Sequence, residues 1–414
     1  MKRRTPLYAL YTADVISLAG NAVAQLAIPW FVLTTTGSAA LTALAVFFNF
    51  LPIVIATFFG GVVVDRLGFR TSSVVADLAS AAAVAAIPLL HSTIGIELWQ
   101  LMTLVFLGAL LDAPGSTARA ALIPDLVELA GVRLERASGI RGAIQQGGTL
   151  VGAPIGGVLV ATVGATNALW LDSVSFLVSA ALVAFLVPRP KSVAAPEPQS
   201  RFLTELADGL RFVWNQRLLR ALVLTVLLTN LIEAPFPVVM AVFAEQEYGS
   251  AADLGLMYGT LGGAALGGAL LYSAIGHRLP RRPTFLGCFA TLPVMYLVLA
   301  TLPSLPVALV GLAIVGFASG PLNPLIFTVT AELVPVELRG RVFGAVRGGA
   351  WAAIPLGILL GGVLVGAIGP GPTFLAIGLS YAAVVAYGFV NPAFRRMEES
   401  AGDETGKEAA ATEV

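Results

Sequence analysis

The stretch GGVLVATVG at residues 156–164 returns as GGVLVGAIG at residues 361–369, with six identities in nine positions. Two further pairs precede it in the same order in each half. LIPDLVE at 122–128 is echoed by LVPVELR at 333–339, and DRLGFR at 65–70 by HRLPRR at 277–282. The offsets are 205, 211 and 212 residues, so the register holds across most of each half. A chain of 414 residues that repeats at about half its length is built from two related units. Each half carries six long apolar runs, which predicts an all-α integral membrane protein. Its twelve transmembrane helices would form two six-helix repeats, parallel copies about an axis along the membrane normal.

The twelve spans fall at 8–33, 39–64, 72–91, 98–120, 138–163 and 168–187, then at 219–243, 253–275, 283–302, 306–330, 342–368 and 373–391. Each holds the roughly 20 apolar residues needed to cross about 30 Å of hydrocarbon. Helices are required, because an open strand edge in lipid leaves backbone groups unsatisfied. Composition agrees: 57% of residues are hydrophobic and only 12% charged, against about 25% charged in soluble domains. The mean hydropathy is +0.87. Lys2, Arg3 and Arg4 ahead of an apolar run imitate a secretory signal, but the run continues to Leu33, too long for a signal core. The lone Cys288 excludes an intramolecular disulfide and fits no metal-ligand pattern.

Charge placement predicts the topology. All 24 Lys and Arg fall in seven clusters, at 2–4, 66–70, 119–141, 189–220, 278–282, 339–347 and 395–407. These lie on one side when the spans are threaded alternately, and the opposite connections hold none. Basic residues near membrane ends stay in the cytoplasm, so both termini are expected there. Residues 1–187 then form an N-terminal bundle and 219–392 a C-terminal bundle. Between them, 188–218 is a cytoplasmic linker that opens Pro-rich. It continues with Leu203, Leu206, Leu210 and Val213 at helical spacing, the pattern of a helix lying on the membrane surface. Residues 393–414, with six acids after Met397, read as a disordered cytoplasmic tail.

Gly61-Val-Val-Val-Asp65-Arg66-Leu-Gly68-Phe-Arg70 joins the second and third spans and resembles the G-x-x-x-D-R-x-G-x-[RK] signature of the major facilitator superfamily. The resemblance covers nearly the whole chain. It implies that this loop latches the cytoplasmic side shut in the outward-open state. The second copy departs from the signature, with His277 in place of Asp65 and Pro280 in place of Gly68, so an asymmetric latch is expected. Within the superfamily the chain is similar to the macrolide-efflux and siderophore-exporter group of drug:proton antiporters. PGSTARAALIPDLV at 114–127 and ELVPVELRGR at 332–341 carry that likeness. Gly148, Gly152, Pro154, Gly156 and Gly157 resemble the antiporter motif g-x-x-x-G-P-x-x-G-G, with the proline one position late. Ordinary small-residue helix packing explains the same spacing.

Ionisable groups in the spans are the candidate sites, because their burial is costly. Asp14, Ser17, Asn21 and Gln25 share one narrow helical face, and Asp112, Ser116 and Arg119 share another. Glu233 precedes Pro235 and Pro237, which free the carbonyls of Leu231 and Glu233, and Asn323 lies between Pro321 and Pro324. The resemblance implies that spans 1, 4, 7 and 10 line the central cavity, so Asp14, Asn21, Gln25, Asp112, Glu233 and Asn323 would converge there on substrate and protons. Pairing with Arg119 or Arg141 explains Asp14 as well as a functional role does. Asp77 and Asp172, on peripheral spans, read as structural, and Arg141 and Arg347 as gate or lipid-headgroup contacts. Trp30, Phe236 and Trp351 suit either substrate stacking or packing.

The sequence has no P-loop, no metal-ligand cluster, no cofactor motif and only dispersed basic residues, so it is not read as an enzyme, an ATP-driven pump or a nucleic-acid binder. A proton-coupled antiporter exporting amphipathic or lipophilic small molecules is the expected function, monomeric, with lipids and protons as its other partners. Burial raises a carboxyl pKa and a nearby cation lowers it, so an alternating cavity can switch protonation. No Lys or Arg is expected deep in a span, which argues against strongly anionic substrates. Uptake or facilitated passage of a small metabolite is the alternative within the same fold. A non-transporting receptor or assembly partner is the alternative outside transport; Asp65, Asp112 and Glu233 speak against it.

Overall fold

The computed structural model describes residues 4–188, 202–335, 338, 342–344, 346 and 351–397, and among these it contains helices and no strand. The first six helices are α1 (Thr5–Thr36), α2 (Ala39–Leu67), α3 (Phe69–Thr93), α4 (Leu98–Ala130), α5 (Leu134–Val163) and α6 (Ala165–Leu186). The shorter helix α7 (Phe202–Asn215) follows. Then come α8 (Arg217–Glu233), α9 (Phe236–Glu247), α10 (Ala251–Ile275), α11 (Arg281–Leu299), α12 (Leu305–Ser319), α13 (Leu322–Leu333), α14 (Ile354–Ile368) and α15 (Pro370–Val390).

The repeated stretch has the same job in both copies. Its last residue, Gly164 or Gly369, ends one helix with its N–H on the carbonyl four residues back and starts the next helix without a linker. That turn needs φ of +87° and +80°, which a residue with a Cβ rarely adopts. Two helix starts are capped by side chains: Ser38 accepts from the Leu41 N–H ahead of α2, and Glu97 and Gln100 form a reciprocal capping box at α4.

Two spans are broken by proline. α8 and α9 are separated at Ala234 and Pro235, and α12 and α13 at Gly320 and Pro321, where proline removes a helical donor. Counting each broken pair as one, eleven spans among the described residues are long and apolar enough to cross a membrane, and α14 is a shorter apolar helix of 15 residues. The expected span at 342–368 is described as helix α14 from Ile354 onward, with part of its start outside the described residues. The largest departure is α4, which runs ten residues past its expected end at 120, through Pro124 to Ala130. The Pro-rich start of the linker and the residues after Met397 lie outside the described residues. Where a helix on the membrane surface was expected, the chain forms helix α7, with Val213 buried and Leu210 and Trp214 exposed.

Two compact units emerge: residues 1–197 with 237–259, and residues 198–236 with 260–414. In the first, α1 packs on α5 and α6, α3 on α4 and α6, and α2 on α4. In the second, α11 packs on α12 and α15, and α8 on α14 and α15. Large apolar side chains left outside, such as Phe185, Leu270, Val310 and Leu360, are the surface a lipid bilayer would cover.

The charge pattern yields a labelling test. Ser72 is buried, but the adjacent Thr71 is exposed, as are Thr36 and Thr301 at the other helix ends. In a Cys288→Ser background, a cysteine at Thr71 should escape an impermeant thiol reagent in intact cells, while cysteines at Thr36 or Thr301 should label. Reversed labelling would overturn the orientation read from the basic clusters.

Candidate functional site

Arg119 is the largest fully buried side chain of the first unit, at 2% exposure. The expectation that no cation lies deep in a span is therefore corrected. Because α4 continues to Ala130, Arg119 stands within the helix rather than at its end. Gly115, one turn earlier, lets α3 come close: a Cβ there would meet the Ala76 Cβ at 2.9 Å. Arg119 then donates from Nε to Asp14 Oδ1 at 2.7 Å and from Nη1 to Asp77 Oδ1 at 2.7 Å. Its Nη2 lies 3.4 Å from Ser17 Oγ and 3.9 Å from Asp112 Oδ1. Ser179 of α6 donates to the other Asp77 oxygen at 2.7 Å. Arg141 of α5 donates to Asp14 Oδ2 at 3.4 Å and to the Ser116 carbonyl at 3.2 Å. Arg141 is thus part of this network rather than a lipid-headgroup contact; Arg347 lies outside the described residues.

Beside the network is a cavity of about 180 Å³ lined by Asn21, Gln25, Asn49, Asp112, Ser116 and Asp172, among others. Asn21 Nδ2 donates to Asp112 Oδ2 at 3.1 Å, while Asp112 Oδ1 is buried without a hydrogen-bond donor. Ser175 Oγ lies 3.4 Å from Asp172 Oδ1. The volume is well below the roughly 300–1,000 Å³ of a drug-sized site. It holds a few waters or one substituent of a larger ligand. Asp172 was read from sequence as structural, yet it lines this cavity. The readable signal was its own helix face, since Asp172, Ser175 and Ser179 recur at helical spacing. Asn49 was missed because it stands alone in an apolar run.

The second unit holds its acid differently. Glu233 ends α8, and the Tyr381 hydroxyl of α15 donates to its Oε2 at 2.6 Å. Tyr381 is buried and stacks on Tyr296, with centroids 5.6 Å apart and planes at 13°. Among the described residues no cation pairs with Glu233. The Leu231 carbonyl freed by Pro235 faces α14, where a Cβ on Gly357 would come within 2.5 Å of it. Asn323 is exposed on α13, and no described contact joins it to Glu233. Trp30 and Phe236 are buried among neighbours, which is packing rather than an open stacking platform.

The glycines of α5 form two faces. Gly148, Gly152 and Gly156 abut Leu18, Ala22 and Val23 of α1, with 2.5 Å left between a Cβ on Gly152 and that of Ala22. Gly157 meets Gly255 of α10, and Pro154 packs on Gly259. Any larger residue would push these helices apart. In the signature after the second span, the side chains of Gly61, Asp65 and Arg66 lie outside the described residues. Gly68 turns the chain at φ +79°, and Arg70 donates to the Val183 and Ala184 carbonyls at the end of α6.

The Major Facilitator Superfamily model matches residues 10–244 and 227–413. The chain is 36% identical over 383 residues to the multidrug efflux pump Tap of Mycolicibacterium fortuitum, covering 91% of this chain and 93% of that protein. It is 24% identical over 382 residues to macrolide efflux protein A of Streptococcus pyogenes, covering 90% and 92%. The crystal structure of the nucleoside transporter NupG superposes with a TM-score of 0.71 at 11% identity, over 94% of this chain and 98% of that one. This last likeness is one of fold.

The Arg119 network predicts a stability defect. Arg119→Gln leaves Asp14 and Asp77 buried without their shared cation, a loss of about 3–5 kcal/mol by analogy with broken buried pairs. Thermal unfolding in detergent should show a clear drop, and Arg119→Lys, which keeps the charge but not the fork that reaches both acids, should fall between. Wild-type stability in Arg119→Gln would overturn the structural role.

Proposed function

The chain belongs to the Major Facilitator Superfamily, and we propose that it is a drug efflux transporter that expels amphipathic or lipophilic compounds in exchange for protons. The near full-length likeness to efflux pumps carries the export reading. The carboxylates support the proton coupling. Asp14 and Asp77 are saturated by guanidinium and serve as frame. Asp112 and Asp172 face a polar cavity, and Glu233 is held by a neutral phenol that can accommodate either protonation state. Asp112 still has Arg119 Nη2 at 3.9 Å. Asp172 and Glu233, which pair with no cation among the described residues, can gain and lose a proton without stranding an opposite charge in a low-dielectric site.

In this reading the two related bundles rock about the substrate, exposing it alternately to the two sides. Glu233 is protonated from the outside and releases its proton inward as substrate moves. The surplus of acids over Arg119 and Arg141 in the first unit disfavours anionic cargo, so neutral or cationic compounds are the expected class. The loop from Gly61 to Arg70 closes the cytoplasmic side, with Asp65 as the acid that stabilises the closed state. The protein works as a monomer with both termini in the cytoplasm.

Two experiments test these assignments. Glu233→Gln mimics the protonated acid; it should still bind a neutral substrate, lose the pH dependence of binding between about pH 5 and 9, and fail to accumulate substrate against a gradient in proteoliposomes. Proton-driven transport at the normal rate in Glu233→Gln would move the carrier to Asp112 or Asp172. For the latch, Asp65→Asn should abolish or strongly reduce transport with expression intact, and His277→Asn should be milder. Equal effects would show that the latch is not asymmetric.

A further inference from the structure

A second cavity, of about 210 Å³, lies in the other unit, where the start of α8 meets the end of α15 and the 3-10 turn at Pro392–Arg395. Arg217, Arg220 and Arg396 line it, together with Tyr387 and Asn391, and none of its nine lining residues is acidic. Asn391 Nδ2 donates to the Tyr387 hydroxyl at 2.7 Å, which fixes both polar groups at the rim. Arg220 donates from Nη1 to the Trp214 carbonyl at 3.0 Å, holding its guanidinium in place and tying α7 to the site. Among the described residues no carboxylate pairs with any of the three arginines. The first turn of α8 also lacks a side-chain cap, so its N–H groups add positive potential at the same point.

Three guanidiniums gathered around one concavity repel each other unless an anion joins them. The surroundings narrow its identity. Val390 is 82% exposed, Trp214 60% and Phe389 53%, so the pocket opens beside a wide apolar surface at a span end. A ligand carrying both a phosphate and hydrocarbon chains satisfies both halves of this environment. We propose that this cavity binds a phosphate ester, and that its occupant in the membrane is the headgroup of an acidic phospholipid. Phosphate accepts paired bonds from arginine forks, and basic pockets at span ends favour such headgroups. Held there, the lipid would link α7, α8 and α15.

The test uses the purified full-length chain and native mass spectrometry with phosphatidylglycerol or phosphatidylcholine added. Wild type should retain phosphatidylglycerol preferentially. Arg217→Gln/Arg220→Gln/Arg396→Gln should lose at least about tenfold in that occupancy, the scale expected for removing three basic charges near a headgroup. Arg133→Gln/Arg136→Gln, removing exposed charge elsewhere, should keep wild-type occupancy. Equal retention by the triple variant, or an equal loss in the control, would overturn the site. Inorganic phosphate alone separates the two sources. Thermal stabilisation of wild type by phosphate, absent in the triple variant and without any phosphatidylglycerol preference, would overturn the lipid as occupant. Deleting residues 398–414 should leave lipid occupancy unchanged; binding that emerges only on deletion would show that the chain's own acidic tail occupies the pocket.

Discussion

A guanidinium buried within a membrane bundle dictates the placement of everything around it. Arg119 cannot be left unpaired in a low-dielectric interior, and its five donors need acceptors from several directions. Asp14 supplies one from α1 and Asp77 another from α3, each at 2.7 Å. Ser179 then satisfies the second Asp77 oxygen from α6. Four helices are thereby fixed in register by one side chain. The small residues follow from the same demand, since such short bonds need close backbones. Gly115 stands against Ala76 beside Asp77, and Gly20 of α1 stands against Ser175 and Asp172. Replacing either would open the gap that the ion pairs must span.

Among its described residues, the second unit packs without a fully buried arginine or lysine. Its helices meet through glycine against backbone, as with Gly316 on the Leu261 carbonyl, and through the stacked pair Tyr296 and Tyr381. Its partly buried ion pair, Arg281 with Glu332 at 2.8 Å, lies at helix ends. Glu233 therefore sits in a setting where neutral donors, not cations, control its charge. One unit is braced by compensated charges, and the other leaves its acid free of them. That difference supports assigning frame and proton carriage to different acids.

Much of this architecture was legible in the sequence because it depends on local rules. Roughly 20 apolar residues make a span wherever they occur, and the repeat that ends in Gly164 and Gly369 marks the same sharp helix-to-helix joint twice. The depth of Arg119 was not legible. Its span was expected to stop near it, and Pro124 a few residues on reads as a helix boundary. In a bundle, neighbouring helices tolerate the lost hydrogen bond, and α4 runs through the proline. The place of Asp172 at the cavity was not legible for another reason. Its helix was judged by its expected position in the fold rather than by its own polar face, which turns inward onto the cavity. Asn323 was placed with the acids because the resemblance puts its span at the cavity, and its side chain is exposed on α13.

What the two halves still share after duplication separates contacts general to both bundles from those particular to one. Arg70 and Arg282 stand 212 residues apart in the echoed loops. Arg70 caps carbonyls at the end of α6, and Arg282 caps the Phe389 carbonyl at the end of α15, 3.1 Å away. A cation on the negative end of a helix stabilises that helix wherever it stands, so both copies keep it. The acid of the same loop is kept only once. At its second position His277 is exposed and accepts from Arg278 Nε at 3.2 Å, a contact between neighbours that reaches no other helix. Arg119 and its partners likewise occur in one half alone. The shared contacts are those any six-helix bundle needs, and the unshared ones are charges whose placement costs energy in a membrane. An unshared charge can still be frame, as the Arg119 pairs with Asp14 and Asp77 are, so only the acids outside those pairs remain for the proposed proton step.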